Sequence, residues 1–230
     1  MPSRLRPTAS VAADAILVGD PGRALLLAQE LIERPKMSNH ARGLWGYSGS
    51  TPEGAELTVQ ATGMGGPSAA VVVADLAKLG VRRAIRVGTC VGLGEAARPG
   101  ELVVVSEAVA EGGSAASFGV ELGDSVVPDQ TLAGRLTAEL GEGARPARVG
   151  SFDAIAAAEG PAVAAIEAAD LQTLAVLARA RELDIAAAAV LIVGELGVGG
   201  ERISDEDQEA AAKRAGWAAV SAMSHPQVEG

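Results

Sequence analysis

The stretch ILVGDPGRALLLAQELIE, Ile16–Glu33, runs an apolar segment of strand length into Gly19-Asp20-Pro21-Gly22-Arg23 and then into helical spacing. That order reads as a strand, a tight turn and an amphipathic helix. The first N–H groups of a helix have no intrahelical partner and carry the positive end of its dipole, so such a turn is suited to an anion. Arg23 adds a planar, permanently charged fork that fits phosphate or carboxylate. The same residues also suit a plain βα turn, with Pro21 opening the helix and Arg23 in solvent. The stretch alone leaves both readings open.

Outward from it, the alternation repeats. Further strands are expected at 55–62, 84–87, 102–105, 147–150 and 186–193, with LWGYSGS, Leu44–Ser50, as a less buried one. Helices are expected at 67–79, 129–140, 168–183 and 205–223, the last with Ser204 as N-cap and acids in its first turn. Nearly half of the 230 residues are apolar, aromatics are scarce, and Ala, Val, Leu and Gly dominate. That composition suits helices packed closely on a largely parallel sheet. No repeat or linker divides the chain, so 1–230 is read as one α/β domain, with 224–230 as a loose tail.

A net charge of −10 argues against a non-specific nucleic-acid binder, since such proteins carry basic fields. Any phosphate must be held by a local site. The single cysteine, Cys90, excludes an intramolecular disulfide or a cysteine-rich zinc site, and His40 and His225 lie far apart in sequence. No metal is expected. The N-terminal residues lack the apolar run of a signal peptide, and no uncharged apolar segment reaches membrane-spanning length, so a cytoplasmic location without membrane partners is expected.

Three arginines stand out. Arg23 follows the first strand, Arg42 lies in SNHARGLWGYSGS, and Arg86 lies in RRAIRVGTCVGLG. Arg86 sits among core-like residues near a strand's C-terminal end, where ligands of open α/β sheets bind. A buried guanidinium requires an anion, either a protein carboxylate or a ligand.

GDPGR, ARGLWGYSGS and TGMGGPSAAVVVADLAKLGVRRAIRVGTCVGL, in that order, resemble the trimeric and hexameric nucleoside phosphorylases, the group of purine nucleoside and uridine phosphorylases. The resemblance runs from about Ile16 to Gly94 and resumes at IEAADLQTLAVLARA and VLIVGE. It implies a mixed, partly closed sheet flanked by helices, in a homo-oligomer, with a hexamer first and a dimer second. It also implies a phosphate site of Gly19, Arg23, Arg86 and Thr89, with Arg42 reaching over from a neighbouring subunit.

Met64 matches the family methionine that packs on the ribose; without the resemblance it reads as core. Glu167 matches the glutamate that grips the ribose 2′- and 3′-hydroxyls, the alternative being an acid at a helix start. Glu195 aligns with the aspartate of a Ser-Asp pair that assists the leaving base, and a glutamate raised in pKa by burial can act as general acid. Its rival reading is a solvated loop acid. Arg86 is the second residue expected at the chemistry, and Cys90 and Phe152 are the expected contacts to the base.

The nucleoside end departs from the family pattern. Gly194 replaces the serine before the acid, and the assisting arginine aligns near Asp207. The segment before Glu167 is shortened, and Ala165 stands where a second ribose-contacting glutamate often occurs. The function expected is phosphorolysis of a ribonucleoside to free base and ribose 1-phosphate, with inorganic phosphate as co-substrate and no cofactor. The alternatives are a phosphate- or nucleoside-binding protein with little or no catalysis, and a nucleosidase that uses water.

Overall fold

The computed structural model describes residues 4–94, 97–159 and 166–224. Along the chain run β1 (Asp14–Val18), α1 (Pro21–Leu31), β2 (Lys36–Asn39), β3 (Gly46–Ser50), β4 (Glu56–Ala61), α2 (Gly66–Lys78), β5 (Arg83–Gly92), β6 (Leu102–Ala110), β7 (Ser125–Val126), α3 (Gln130–Leu140), β8 (Ala144–Ser151), β9 (Ala168–Asp170), α4 (Thr173–Glu182), β10 (Ala186–Leu196), β11 (Glu201–Arg202) and α5 (Asp205–Ser224). The strands form one mixed sheet, as the sequence led us to expect.

The sheet closes on itself in part. Strand β10 lies parallel to β5 on one side and antiparallel to β6 on the other. From β6 the ring continues through β8 and β9, both parallel joins, and returns to β5 through an antiparallel pair. An open wing of β1, β4, β3 and β2 extends from the other part of β5.

One edge of β5 is therefore shared. β1 pairs with Arg83 to Arg86, whereas β9 pairs with Val91 and Gly92. Between them the sheet forks, and Val87 to Cys90 face the gap. Crevices at such divergence points are where α/β sheets bind ligands.

Helices cover both faces. Ala69, Val72, Val73 and Leu76 of α2 and Leu174, Val176 and Leu177 of α4 pack against Ala187, Ala189, Leu191 and Val193 of β10. On the other face, α1, α3 and α5 pack against Ala188, Val190 and Ile192. This alternation is the period-2 pattern of a strand buried on both sides. Small residues let the helices approach closely: a Cβ at Gly216 of α5 would stand 3.1 Å from Leu27 and Leu31 of α1.

Three expectations need correction. Residues 168–170 are strand, not helix start, and α4 begins only at Thr173. Alanines favour helix, but here they occupy the slot between β5 and β8, where the sheet requires extended backbone. The LWGYSGS strand is more buried than expected, with Gly46, Tyr47 and Ser48 inside. Ser224, placed in the loose tail, is the last residue of α5; His225 and the rest of that tail, and Ala165, lie outside the described residues. Among the described residues no helix is long and apolar enough to cross a membrane, and no cluster of His, Cys, Asp or Glu could hold a metal ion.

Candidate active site

A cleft of about 670 Å³ occupies the fork. That is within the usual range for a small-molecule site. It is lined by Arg86, Gly88, Thr89 and Cys90 of β5, by Gly19, Asp20 and Arg23 around the start of α1, by Met64 and Gln172, and by Glu195, Arg202 and Asp205. Seven residues expected from the sequence thus meet in one place: Gly19, Arg23, Met64, Arg86, Thr89, Cys90 and Glu195.

At the α1 end the helix amides are not available to a ligand. Asp20 caps the helix, its carboxylate accepting from Gly22 N at 3.2 Å and Arg23 N at 3.0 Å, and Ala24 N donates to the Asp20 carbonyl. Pro21 has no N–H. The expected cradle of helix N–H groups is therefore filled by the chain's own cap. The Arg23 side chain differs: it is partly buried, and it donates no hydrogen bond to any described residue. Burial lowers its pKa most; Asp20 raises it and Arg86 lowers it.

Arg86 is held on every nitrogen. Nη2 meets Asp170 Oδ2 at 2.9 Å, Nη1 donates to Gln172 Oε1 at 2.9 Å, and Nε donates to Thr173 Oγ1 at 3.2 Å. A guanidinium has five N–H groups, so two remain. The side chain lies flat over Gly88, where a Cβ would sit 2.7 Å from Nη2. Of the two alternatives weighed for Arg86, the structure shows the ion pair with a protein carboxylate; the same side chain also lines the cleft.

Gln172 also accepts from Thr62 Oγ1 at 3.1 Å and donates to the carbonyls of Gly63 and Gly65. Those glycines, with φ of 75° and 82°, take conformations other residues rarely adopt and present Met64 between them. Met64 is 85% exposed, so it is not a core residue.

A bulge in β10 between Val193 and Glu195 turns Glu195 into the cleft. Its carboxylate accepts from Gly199 N and from Arg202 Nε, the latter at 2.8 Å. Glu195 is thus not a solvated loop acid. Arg202, on β11, thus places a guanidinium against Glu195, whereas Asp207, near which the family's assisting arginine aligns, accepts from Ser204 Oγ at 2.7 Å at the start of α5.

Three expected residues are elsewhere. Glu167 is not brought to the cleft: it pairs with Arg145 at 2.6 Å and accepts from Arg148 N at 3.0 Å, just ahead of β9 rather than at a helix start. Phe152 is buried among Ala158 and Ala169 behind the cleft wall, so no aromatic side chain lines the cleft among the described residues. Arg42 is exposed, with φ of 62°, and lies outside this chain's own cleft. Cys90 lines the cleft, but burial pushes its thiol pKa well up, and Sγ lies 3.6 Å from the Ile192 carbonyl oxygen.

Asp170, Gln172 and Arg202 are the site residues that the sequence reading missed. The signal available was Asp, Gln and Thr clustered in an otherwise alanine-rich run, in a chain whose Arg86 required a carboxylate.

Comparison with known proteins places the chain in a family and supports the fold. Residues 14–223 match the phosphorylase superfamily. The chain is 37% identical over 103 residues to a DeoD-type purine nucleoside phosphorylase of Clostridium beijerinckii, covering 44% of this chain and 43% of that one. It is 48% identical over 80 residues to the protein of the same name from Oceanobacillus iheyensis, covering 34% of each. The matched stretches thus span less than half the length of these relatives. The fold is similar to that of a purine nucleoside phosphorylase from Toxoplasma gondii in complex with immucillin-H, with a TM-score of 0.80 over 93% of this chain and 92% of that one, at 20% identity.

Proposed function

The chain belongs to the phosphorylase superfamily, and from that premise we propose that it is a nucleoside phosphorylase: phosphate attacks C1′ of a bound nucleoside, the C1′–N bond breaks, and free base and pentose 1-phosphate leave. The observation that carries this reading is Arg23, a partly buried guanidinium that donates no hydrogen bond to any described residue, beside Arg86 in the cleft. Two neighbouring guanidiniums with one carboxylate in contact call for an anion. Thr89 adds a hydroxyl in the same cleft, and Arg86 has two free N–H groups for phosphate oxygens.

Positive charge grows on the sugar as the C1′–N bond lengthens, and phosphate fixed on one face stabilises it. The bond's electron pair passes to the base, which needs a proton or a donor. Glu195 and Arg202, which line the same cleft as Arg23, are proposed for that role. The relatives' names favour a purine. The sugar grip expected of Glu167 is engaged with Arg145 instead, so comparable turnover of ribo- and 2′-deoxyribonucleosides is proposed, and Glu167→Gln should leave their rate ratio within about threefold. A ribonucleoside preference that Glu167→Gln abolishes would return Glu167 to the site.

Arg42, exposed and outside its own cleft, is proposed to complete the cleft of a neighbouring subunit in a homo-oligomer. A strictly monomeric species at micromolar concentration in sedimentation would remove that role. A second reading, a binding protein without turnover, draws on Glu195: each of its oxygens already accepts a hydrogen bond, one of them from Arg202, which holds it as a carboxylate acceptor rather than a proton donor. Chromatography of a purine nucleoside panel with and without phosphate separates the cases. Base release only with phosphate is expected; release without it would indicate a nucleosidase, and none at all the binding protein.

A further inference from the structure

Asp170 is the one buried acid lining the cleft that the proposed reaction does not use. Its carboxylate accepts from Ser151 Oγ at 2.6 Å, Thr173 Oγ1 at 2.7 Å, Thr173 N at 3.0 Å and Arg86 Nη2 at 2.9 Å. Every partner is a donor, the set that a carboxylate fits. The two side chains of the ion pair are 5% and 1% exposed, so water screens them little.

Orientation alone does not call for this carboxylate. Gln172 Oε1 and Thr173 Oγ1 already fix Nη1 and Nε of Arg86 through neutral acceptors. What Asp170 adds is charge, placed directly against the guanidinium that faces the ligand. An anion in contact with Arg86 stands within a few ångströms of a buried negative group. In the same cleft, Arg23 is accompanied by Asp20; Cys90 is neutral; Glu195, Arg202 and Asp205 are further charged lining residues.

We infer that Asp170 determines the charge specificity of the anion subsite, offsetting Arg86 from within the fold so that the cleft takes singly charged phosphate in preference to the dianion. This inference rests on the phosphorylase reading, because it assumes that the anion is phosphate bound at Arg23 and Arg86. A subsite with both guanidiniums uncompensated would instead favour the doubly charged form. Repulsion by a fixed carboxylate scales with the charge of the ligand, so a dianion is disfavoured about twice as strongly as a monoanion.

The test is calorimetric titration of the intact protein at constant ionic strength. Phosphate is titrated below and above its second ionisation, with sulfate, a dianion at both pH values, as the control for the protein's own titration. In the wild type, phosphate affinity should not rise as phosphate becomes the dianion. Asp170→Asn should tighten sulfate and dianionic phosphate by about tenfold or more, and monoanionic phosphate by distinctly less. Tighter binding of the dianion by tenfold in the wild type, or unchanged or weakened sulfate binding in folded Asp170→Asn, would overturn the inference. Should that variant fail to fold, the wild-type charge series decides alone. If the wild type binds no anion at all, the phosphate site itself falls, and this inference falls with it; binding with the wrong charge dependence removes only the role of Asp170.

Discussion

Replacing Arg23 by alanine separates a ligand-binding cation from a structural one. The guanidinium donates to no described residue; burial disfavours its charged form, Asp20 favours it, and Arg86 disfavours it to a lesser degree. Its removal orphans no hydrogen-bond partner, since Asp20 keeps its bonds to the helix amides; the losses are the packing of its aliphatic stem and its attraction to Asp20, set against relief from burial and from Arg86, so stability without phosphate should stay within about 1 kcal/mol of wild type. Phosphate loses a charge-assisted bond of about 1.5–3 kcal/mol, a weakening of roughly ten- to 150-fold. Thermal unfolding across a phosphate series reads both quantities. At a hundred times Kd, phosphate stabilises the wild type by about 2.7 kcal/mol; with a thirtyfold weaker site, the same concentration gives under about 1 kcal/mol. At about 2–4 °C per kcal/mol for a chain of this size, the difference is several degrees. A variant that keeps the full phosphate-induced rise, or that loses about 3 kcal/mol or more in phosphate-free buffer, would refute the assignment.

Arg86→Ala should behave differently, losing about 3–5 kcal/mol in denaturant unfolding because Asp170 is left buried and unpaired, and weakening phosphate at least tenfold. Glu195→Gln should lower kcat by about 10²–10⁴-fold with phosphate KM unchanged, measured by base release at saturating nucleoside. An equal rise in KM would place Glu195 at the phosphate instead. The Cys90 thiol, pushed up by burial and then by Asp170, stays protonated at neutral pH. Alkylation in the native protein should be negligible and should become complete in denaturant, read by intact mass.

Local chemistry made most of the wing and the helices legible, but not β2 (Lys36–Asn39). Pro21 and Pro67 mark helix starts, Gly19 and Gly63 mark turns, and the apolar runs of β1, β4, β5, β6, β8 and β10 could be read directly, with β5, β6, β8 and β10 extending beyond the expected ends. β9 was hidden because Ala168 and Ala169 carry helix propensity, and only their slot between β5 and β8 makes them extended. In the same way, Arg23 and Thr89 could be assigned from charge and position. The partner of Arg86 could not, since Asp170 lies 84 residues further along the chain. Arg202 was missed because its role depends on the bulge that turns Glu195 and on the β10–β11 hairpin that brings the two together.

The fork in β5 also governs the order in which the chain can be completed during synthesis. β5 draws its neighbours from residues 14–17, from 168–169 and from 186–196, so its last partner leaves the ribosome roughly a hundred residues after β5 itself, a non-local pairing of the kind that slows folding. Until the segment around Asp170 emerges, Arg86 is a cation in an apolar strand with nothing to receive it. The N-terminal half therefore cannot settle as a finished unit while it waits, and phosphate meets a completed cleft only after residues 168–196 have joined β5. Phosphate added to a refolding chain should accordingly slow unfolding and leave the rate of folding unchanged.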